Sequence, residues 1–186
     1  PLYSSAASDV YKRQVLFIVP SLALIKQTLE AWADQTKKEF SYICVCSDRT
    51  VTDVGDDWDI NTASLGVPVT TKPDEVTEYL ASLSKEFNIV FSTYQSLDVL
   101  AESLKGLDDF KFDLAIFDEA HRTAGAKSSQ TFSLALHDEY IHSKKRLFMT
   151  ATERLVRPWI IKKAKEHNRV VFSMDDISLY LSLIHI

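Results

Sequence analysis

Glycine is scarce in this chain: Gly55, Gly66, Gly106 and Gly125 are the only four in 186 residues. None lies in a Gly-x-x-x-x-Gly-Lys-Ser/Thr run, so the amide-lined loop and lysine that anchor the β- and γ-phosphates of a nucleotide are missing from these residues. Cysteine is rarer still. Cys44 and Cys46 have no second Cys or His pair nearby, which argues against a zinc site. Their alternation within Tyr42-Ile43-Cys44-Val45-Cys46 is strand spacing and turns both to one face; reduced, partly buried thiols of a cytosolic protein are expected. No apolar run is long enough to span a bilayer, and no signal-peptide pattern precedes the first apolar segment, so a cytoplasmic setting is expected. Cations are outnumbered, 21 Lys and Arg against 26 Asp and Glu. That balance is not the charge of a generic nucleic-acid coat and weakly disfavours a purely electrostatic binder, although a groove can still grip a strand with local amides, hydroxyls and a few Lys and Arg. Repeats and low-complexity linkers are also absent.

What is present alternates. Apolar runs at Val15–Val19, Tyr42–Cys46, Ile89–Ser92, Leu114–Phe117, Arg146–Met149 and Val170–Ser173 predict strands. Between them lie helical stripes. Leu22, Ile25, Leu29 and Trp32 follow Ser21, a candidate N-cap. Val76, Tyr79, Leu80 and Leu83 follow Pro73-Asp74-Glu75, a helix start. Leu97, Leu100, Ala101 and Leu104 are closed by Gly106, and Phe132, Leu136 and Tyr140 predict a fourth helix. Pro158 opens a fifth, carrying Trp159 and the Lys162, Lys163 and Lys165 face. Strands alternating with helices predict an α/β fold, a parallel sheet covered on both faces. Residues 48–67 are the one polar, irregular stretch. Asp53, Asp56, Asp57 and Asp59 make it acidic, but without the ordered spacing and terminal Glu of a calcium loop, and a solvated insertion is expected.

The densest chemistry lies in Asp113-Leu114-Ala115-Ile116-Phe117-Asp118-Glu119-Ala120-His121. An all-apolar segment suits a strand buried on both faces, and ligands of parallel sheets bind where such strands end. Two adjacent carboxylates there can divide nucleotide hydrolysis: one holds Mg²⁺ on the phosphates, the other orients the attacking water. The plain alternative is a strand followed by a solvated acidic turn. An Asp-Glu-x-His metal triad is disfavoured, because the paired helical histidines of zinc proteases are missing.

Asp118-Glu119-Ala120-His121 resembles the DEAH form of Walker B in superfamily 2 helicases and translocases. Arg146-Leu147-Phe148-Met149-Thr150-Ala151-Thr152 resembles their motif III. Val15-Leu16-Phe17-Ile18-Val19-Pro20-Ser21-Leu22, with Leu24 and Gln27, resembles motif Ia, and Val90-Phe91-Ser92-Thr93-Tyr94-Gln95-Ser96 the next nucleic-acid-contacting motif. Four motifs stand in the family's order between Val15 and about Tyr180, with wording typical of the restriction-enzyme group (type III restriction subunit-like). The resemblance implies a RecA-like P-loop NTPase domain, truncated on its amino-terminal side.

It also implies roles. Asp118 would hold Mg²⁺, usually through water, and Glu119 would be the general base. His121 would link the nucleotide site to motif III, with Thr150 and Thr152 bonding it and sensing the phosphates of ATP. Pro20, Ser21, Gln27, Thr93, Tyr94 and Gln95 would contact a nucleic acid, DNA by resemblance, though the same contacts would serve RNA. Tyr94 could stack on a base or pack in the core. Arg122 could pair with a carboxylate or cap the turn, and Lys144-Lys145-Arg146 reads as a solvated loop. Many relatives place Pro after Thr-Ala-Thr; Glu153 stands there instead and leaves the loop freer. The parent would be an ATP-dependent motor completed by a phosphate cradle and a second RecA-like domain supplying an arginine finger. Other readings are a non-catalytic nucleic-acid-binding module, or the motor of a restriction system with a nuclease or methyltransferase domain.

The two ends carry a different signature. Asp9-Val10-Tyr11-Lys12-Arg13-Gln14 can be encoded by GAT GTG TAT AAG AGA CAG, whose reverse complement encodes Leu181-Ser182-Leu183-Ile184-His185-Ile186. One inverted element matching a sequencing-library transposase end is therefore expected to flank the reading frame, and Ser4-Ser5-Ala6-Ala7-Ser8 fits the adapter before it. Residues 1–14 and 181–186 are expected to be adapter-derived, leaving 15–180 as a partial helicase ATP-binding domain. Setting them aside removes Lys12, Arg13 and Asp9 and takes the formal charge from −5 to −6. The nucleotide sequence tests this: those codons are expected at both ends, and different codons would refute it.

Overall fold

The computed structural model describes residues 12–46, 69–83, 85–107, 109–124, 132, 134, 136–167, 169–176, 178–180 and 183–185. The acidic stretch at 48–67 lies outside them. Seven strands form one sheet in the order β3-β2-β4-β1-β5-β6-β7. They are β1 (Arg13–Val19), β2 (Phe40–Val45), β3 (Val69–Thr70), β4 (Phe87–Thr93), β5 (Leu114–Phe117), β6 (Arg146–Thr150) and β7 (Leu183–His185), and every pairing is parallel.

Alternation along the central strands builds a core on each face. From β1, Leu16 and Ile18 join Val90, Ala115, Phe117 and Phe148 on one side. Phe17 and Val19 join Cys44, Ile89 and Phe91 on the other. Helix α1 (Leu22–Gln35) covers the second face with Ile25 and Leu29. Helices α2 (Pro73–Ala81) and α3 (Leu97–Leu104) cover the first with Val76, Leu80, Leu97 and Leu100. Pro73 stands in the first turn of α2, where its missing N–H costs nothing, and Asp74 and Glu75 face the positive end of the helix dipole. Helix α4 (Pro158–Glu166) differs: none of its residues is buried.

Several expectations are corrected. Val170–Ser173 is not a strand. The Val156 N–H donates to Ser173 Oγ (2.8 Å) and the Arg154 N–H to Met174 Sδ (3.3 Å), so side-chain atoms take bonds a ladder would need. The described residues of Phe132–Tyr140 form 3₁₀ and turn geometry rather than an α-helix. The Tyr140 N–H donates to the His137 carbonyl at 3.1 Å, an i→i+3 bond, and Tyr140 faces solvent while Leu136 is buried. Ser21 occupies the N-cap of α1 with extended backbone, but its side chain makes no capping bond. Cys44 and Cys46 are wholly buried thiols outside any disulfide, and burial, with Cys46 adding, pushes the Cys44 thiol up to about 12. Among the described residues, no helix is long and apolar enough to cross a membrane.

The terminal segments take strand geometry: Arg13 and Gln14 extend β1, and Leu183–His185 lie along β6. Backbone pairing demands little of sequence, both where β7 adds to the edge and where Arg13 and Gln14 lengthen central β1, so strand geometry fits native and adapter-derived residues alike.

Phe91 is fully buried, with Phe17, Trp32 and Tyr42 rings 5.8, 5.7 and 6.4 Å away. Phe91→Ala is expected to lower the unfolding free energy by about 3–5 kcal/mol, read from urea titration. Gln27→Ala, on the exposed side of α1, should change it by less than about 0.5 kcal/mol.

Candidate functional site

Because the strands are parallel, β1, β4, β5 and β6 all end on one edge. The register aligns their tips: Val19 is opposite Thr93, Ile18 opposite Phe117, and Phe117 opposite Phe148. The Asp118 N–H still donates to the Ile18 carbonyl (2.8 Å), so the sheet holds Asp118 one residue beyond the end of β5.

Glu119 then leaves the strand direction, with φ 51° and ψ 47°, the one non-glycine residue at positive φ among those described. This left-handed geometry costs a residue with a Cβ and persists only where its surroundings enforce it. Here the Glu119 N–H donates to Asp118 Oδ1 (3.0 Å), and its carbonyl accepts from the Arg122 N–H (3.0 Å), opening a 3₁₀ turn at Ala120–Thr123.

His121 is the junction. Its Nδ1 lies 3.1 Å from Glu119 Oε2 and 3.2 Å from Thr150 Oγ1. Thr150 donates its own hydroxyl proton to the Thr152 carbonyl (2.9 Å), so toward His121 it accepts. With an acceptor on each side, the proton belongs on Nδ1. Thr150 is buried at the end of β6, while Thr152 is exposed and reaches the cluster through its backbone. The structure therefore brings together Asp118, Glu119, His121 and Thr150.

The residues assigned to nucleic acid divide. Gln27 is exposed on α1 and Ser21 partly exposed at its start, whereas Pro20 is buried. Thr93 is buried with its hydroxyl 2.8 Å from Ser96 Oγ. Tyr94 is 0% exposed, which corrects the stacking expectation: no face of the ring is open to a base. Gln95 is partly buried, and its Oε1 accepts no bond among the described residues. The exposed Arg122 forms no ion pair among the described residues, and Lys144 and Arg146 are tied to Asp113 and Asp138 (2.7 and 2.5 Å).

Sequence reasoning missed what Tyr94 does. Its phenol donates to the Asp118 carbonyl at 2.8 Å, while its ring packs near Phe132 (5.6 Å). Burial raises the phenol well above its usual range, so it stays a donor. A second missed contact braces the turn: Tyr180 donates to Thr123 Oγ1 (2.8 Å), which in turn donates to the Ala120 carbonyl (2.7 Å). An aromatic with a polar tip was the only signal for either.

Burial, with the Glu119 charge adding, holds the Asp118 carboxyl above the usual carboxylate range, although the Glu119 N–H bond pulls the other way. No Lys or Arg pairs with it among the described residues. A half-buried carboxylate without a protein cation suits a divalent metal, which takes one or two carboxylates and completes its shell with water and phosphate oxygens. The described residues hold no cluster of three or more metal-ligating side chains, so a metal here would depend on such outside ligands.

A parallel sheet whose edge gathers an acidic pair, its histidine and a Thr-Ala-Thr strand tip defines the ATP-binding domain of a superfamily 2 helicase. Residues 2–155 match the family described as Type III restriction enzyme, res subunit, and the chain belongs to that family. It is 30% identical over 167 residues to a probable helicase of African swine fever virus, and 31% identical over the same length to that of another isolate. Each alignment covers 89% of this chain and 17% of the viral protein, so the chain spans only a small part of these relatives. The fold is similar to the ATP-dependent Type ISP restriction-modification enzyme LlaBIII bound to DNA, with TM-score 0.70, 31% identity, 94% of this chain and 12% of that one. It is also similar to a nuclease-deletion mutant of the Type ISP enzyme LlaGI in complex with a DNA substrate mimic, with TM-score 0.65, 32% identity, 92% of this chain and 13% of that one. The RecA-like fold is therefore shared.

Two outcomes follow from this geometry. Tyr94→Phe should cost about 1–3 kcal/mol of stability, because it leaves the Asp118 carbonyl without its donor. Asp118 holds its proton more tightly folded than unfolded, so its contribution to stability is complete below the ordinary carboxylate range and lost as pH rises through its raised value. Asp118→Asn should therefore raise the melting temperature at neutral pH in metal-free buffer and change it little at acid pH.

Proposed function

We propose that the parent protein is an ATP-dependent motor on DNA and that this chain supplies the metal-and-water half of its first RecA-like domain. The observation that carries this is the Asp118–Glu119 pair at the tip of β5, with His121 Nδ1 between Glu119 and Thr150. Asp118 would hold Mg²⁺ through water, and the metal would neutralise charge on the phosphates. Glu119 has one carboxylate oxygen engaged by His121, and the other would take a proton from the attacking water. Thr150, bonded to His121, would pass the state of the site to the Thr-Ala-Thr strand. Ser21 and Gln95, just beyond the tips of β1 and β4, and Gln27 on the exposed side of α1 remain the candidates for contact with a strand. Similarity to two DNA-bound enzymes supports DNA as the track.

The 186 residues contain no phosphate-cradle sequence. This chain alone should therefore not turn over ATP; the cradle and the arginine finger of a second RecA-like domain would come from the remainder of the parent. We take 15–180 as the native domain in a cytoplasmic protein. The family match begins at residue 2, inside the segment read as adapter, so the codons carry the decision there.

Type ISP restriction-modification enzymes as structural relatives favour a second, compatible reading, in which the motor serves restriction. A nuclease or methyltransferase domain fused to the parent, or encoded beside it, would support that reading.

Glu119→Gln in the complete protein tests the main proposal. ATP turnover should fall at least about 100-fold, with nucleotide affinity within a few-fold of the parent. Unchanged turnover would remove Glu119 from the mechanism.

A further inference from the structure

Helix α4 and its flanks do not resemble the rest of the surface. Residues 154–169 hold six cations, Arg154, Arg157, Lys162, Lys163, Lys165 and Arg169, against one carboxylate, Glu166. These sixteen residues therefore carry +5 in a chain of −5, which leaves −10 on the other 170. All six side chains are exposed, and none forms an ion pair among the described residues. Elsewhere Lys26, Lys38, Lys72, Lys85, Lys105 and Lys144 each have an acidic partner.

Folding does not account for this crowding. Lys163 and Lys165 sit in the last turn, where cations complement the helix dipole. Arg157 is the N-cap residue and Arg154 precedes it, at the positive end, where a cation is unfavourable. Beside them Trp159 is 60% exposed, whereas Ile160, Ile161 and Ala164 of the same helix are half-buried. Unpaired cations around an exposed planar aromatic match a phosphate backbone with sugars or bases between the charges. A membrane surface fits less well. The helix has nine residues, and Trp159 is its one exposed apolar side chain beyond Pro158, so it offers no continuous apolar stripe outward.

We propose that the basic face of α4 with Trp159 is a second, sequence-independent nucleic-acid backbone site, separate from the strand tips of β1 and β4. It rests on the reading of the parent as a nucleic-acid motor and adds where the track is gripped.

The test uses the 186-residue chain and a fluorescently labelled random-sequence DNA duplex, followed by anisotropy across a salt series. Combined Lys162→Glu, Lys163→Glu and Lys165→Glu should raise Kd at least about tenfold and reduce the slope of log affinity against log salt by about 2–3. Trp159→Ala should weaken binding severalfold at every salt concentration. Combined Lys26→Glu, Lys85→Glu and Lys105→Glu makes the same change in net charge on ion-paired lysines and should leave Kd within about twofold of the parent chain. Since α4 buries no residue, its reversals should leave the unfolding midpoint unchanged, which separates lost binding from lost folding. The proposal is overturned if the α4 reversals leave Kd and slope unchanged, if the control reversals weaken binding equally, if the chain binds no duplex, or if anionic vesicles bind through these lysines in its place. The motor reading fails separately, through Glu119→Gln in the parent, and α4 could still bind DNA if it did.

Discussion

Parallel pairing of β1 with β4 on one side and β5 on the other is the constraint on which the molecule depends. A strand flanked by two parallel neighbours is buried on both faces, so it must be apolar throughout, and Leu16, Phe17, Ile18 and Val19 meet that demand. The polar residues are consequently expelled to the strand ends, and parallel strands share one end. Asp118, Thr150, Ser21 and Gln95 come from segments far apart in sequence, yet each follows or closes a strand. Their convergence results from sheet topology, before any side chain bonds another. An antiparallel β5 would have carried the acidic pair to the opposite edge, away from Thr150.

Topology places these groups within reach, and local geometry orients them. Two consecutive residues of a strand point to opposite faces, so a continued β5 could not have aimed both carboxylates outward. The left-handed backbone at Glu119 ends the strand abruptly and starts the 3₁₀ turn that returns His121 toward Glu119 and Thr150. Strain of this kind needs support from several directions. Tyr94 secures the Asp118 carbonyl from below, the Ile18 carbonyl secures its amide, and Tyr180 braces the turn through Thr123. Tyr94 belongs to the segment that follows β4, so the tip assigned to nucleic acid and the tip assigned to the metal are joined by one hydrogen bond.

The sequence made the central architecture legible because burial on both faces leaves an apolar trace: β1, β5 and β6 are written in their own residues. So were α2 and α3, whose Pro73 start and Leu97–Leu104 stripe needed no partner to be recognised. Other elements depended on contacts that composition does not carry. β3 has two residues, too few for any period, and exists because β2 offers it an edge. Val170–Ser173 has the β-branched composition of a strand, but side-chain sulfur and hydroxyl acceptors claim the neighbouring amides. Phe132, Leu136 and Tyr140 have helical spacing without a shared buried face. The identities of Asp118, Glu119 and His121 could be read; the positive φ that arranges them could not, because glutamate has no preference for it. Tyr94 was legible as an aromatic at a strand tip, and only the fold shows that its hydroxyl points inward.

Electrostatics constrains how such an edge could be used. Asp118 and Glu119 stand side by side with no Lys or Arg partner among the described residues, and burial already disfavours the charge on Asp118. A bare triphosphate approaching that edge would meet negative charge in a partly desolvated setting, where repulsion is stronger than in water. Cations must therefore arrive with the nucleotide or from another part of the protein. A divalent metal meets the first requirement and at the same time makes the ionised form of Asp118 favourable. The second falls to a cradle lysine, since the 186 residues contain no phosphate-cradle sequence. An acidic tip held on the sheet, with its positive complement supplied from elsewhere, would make the proposed catalysis conditional on assembly: the same carboxylates that would activate water would also keep uncomplexed nucleotide out.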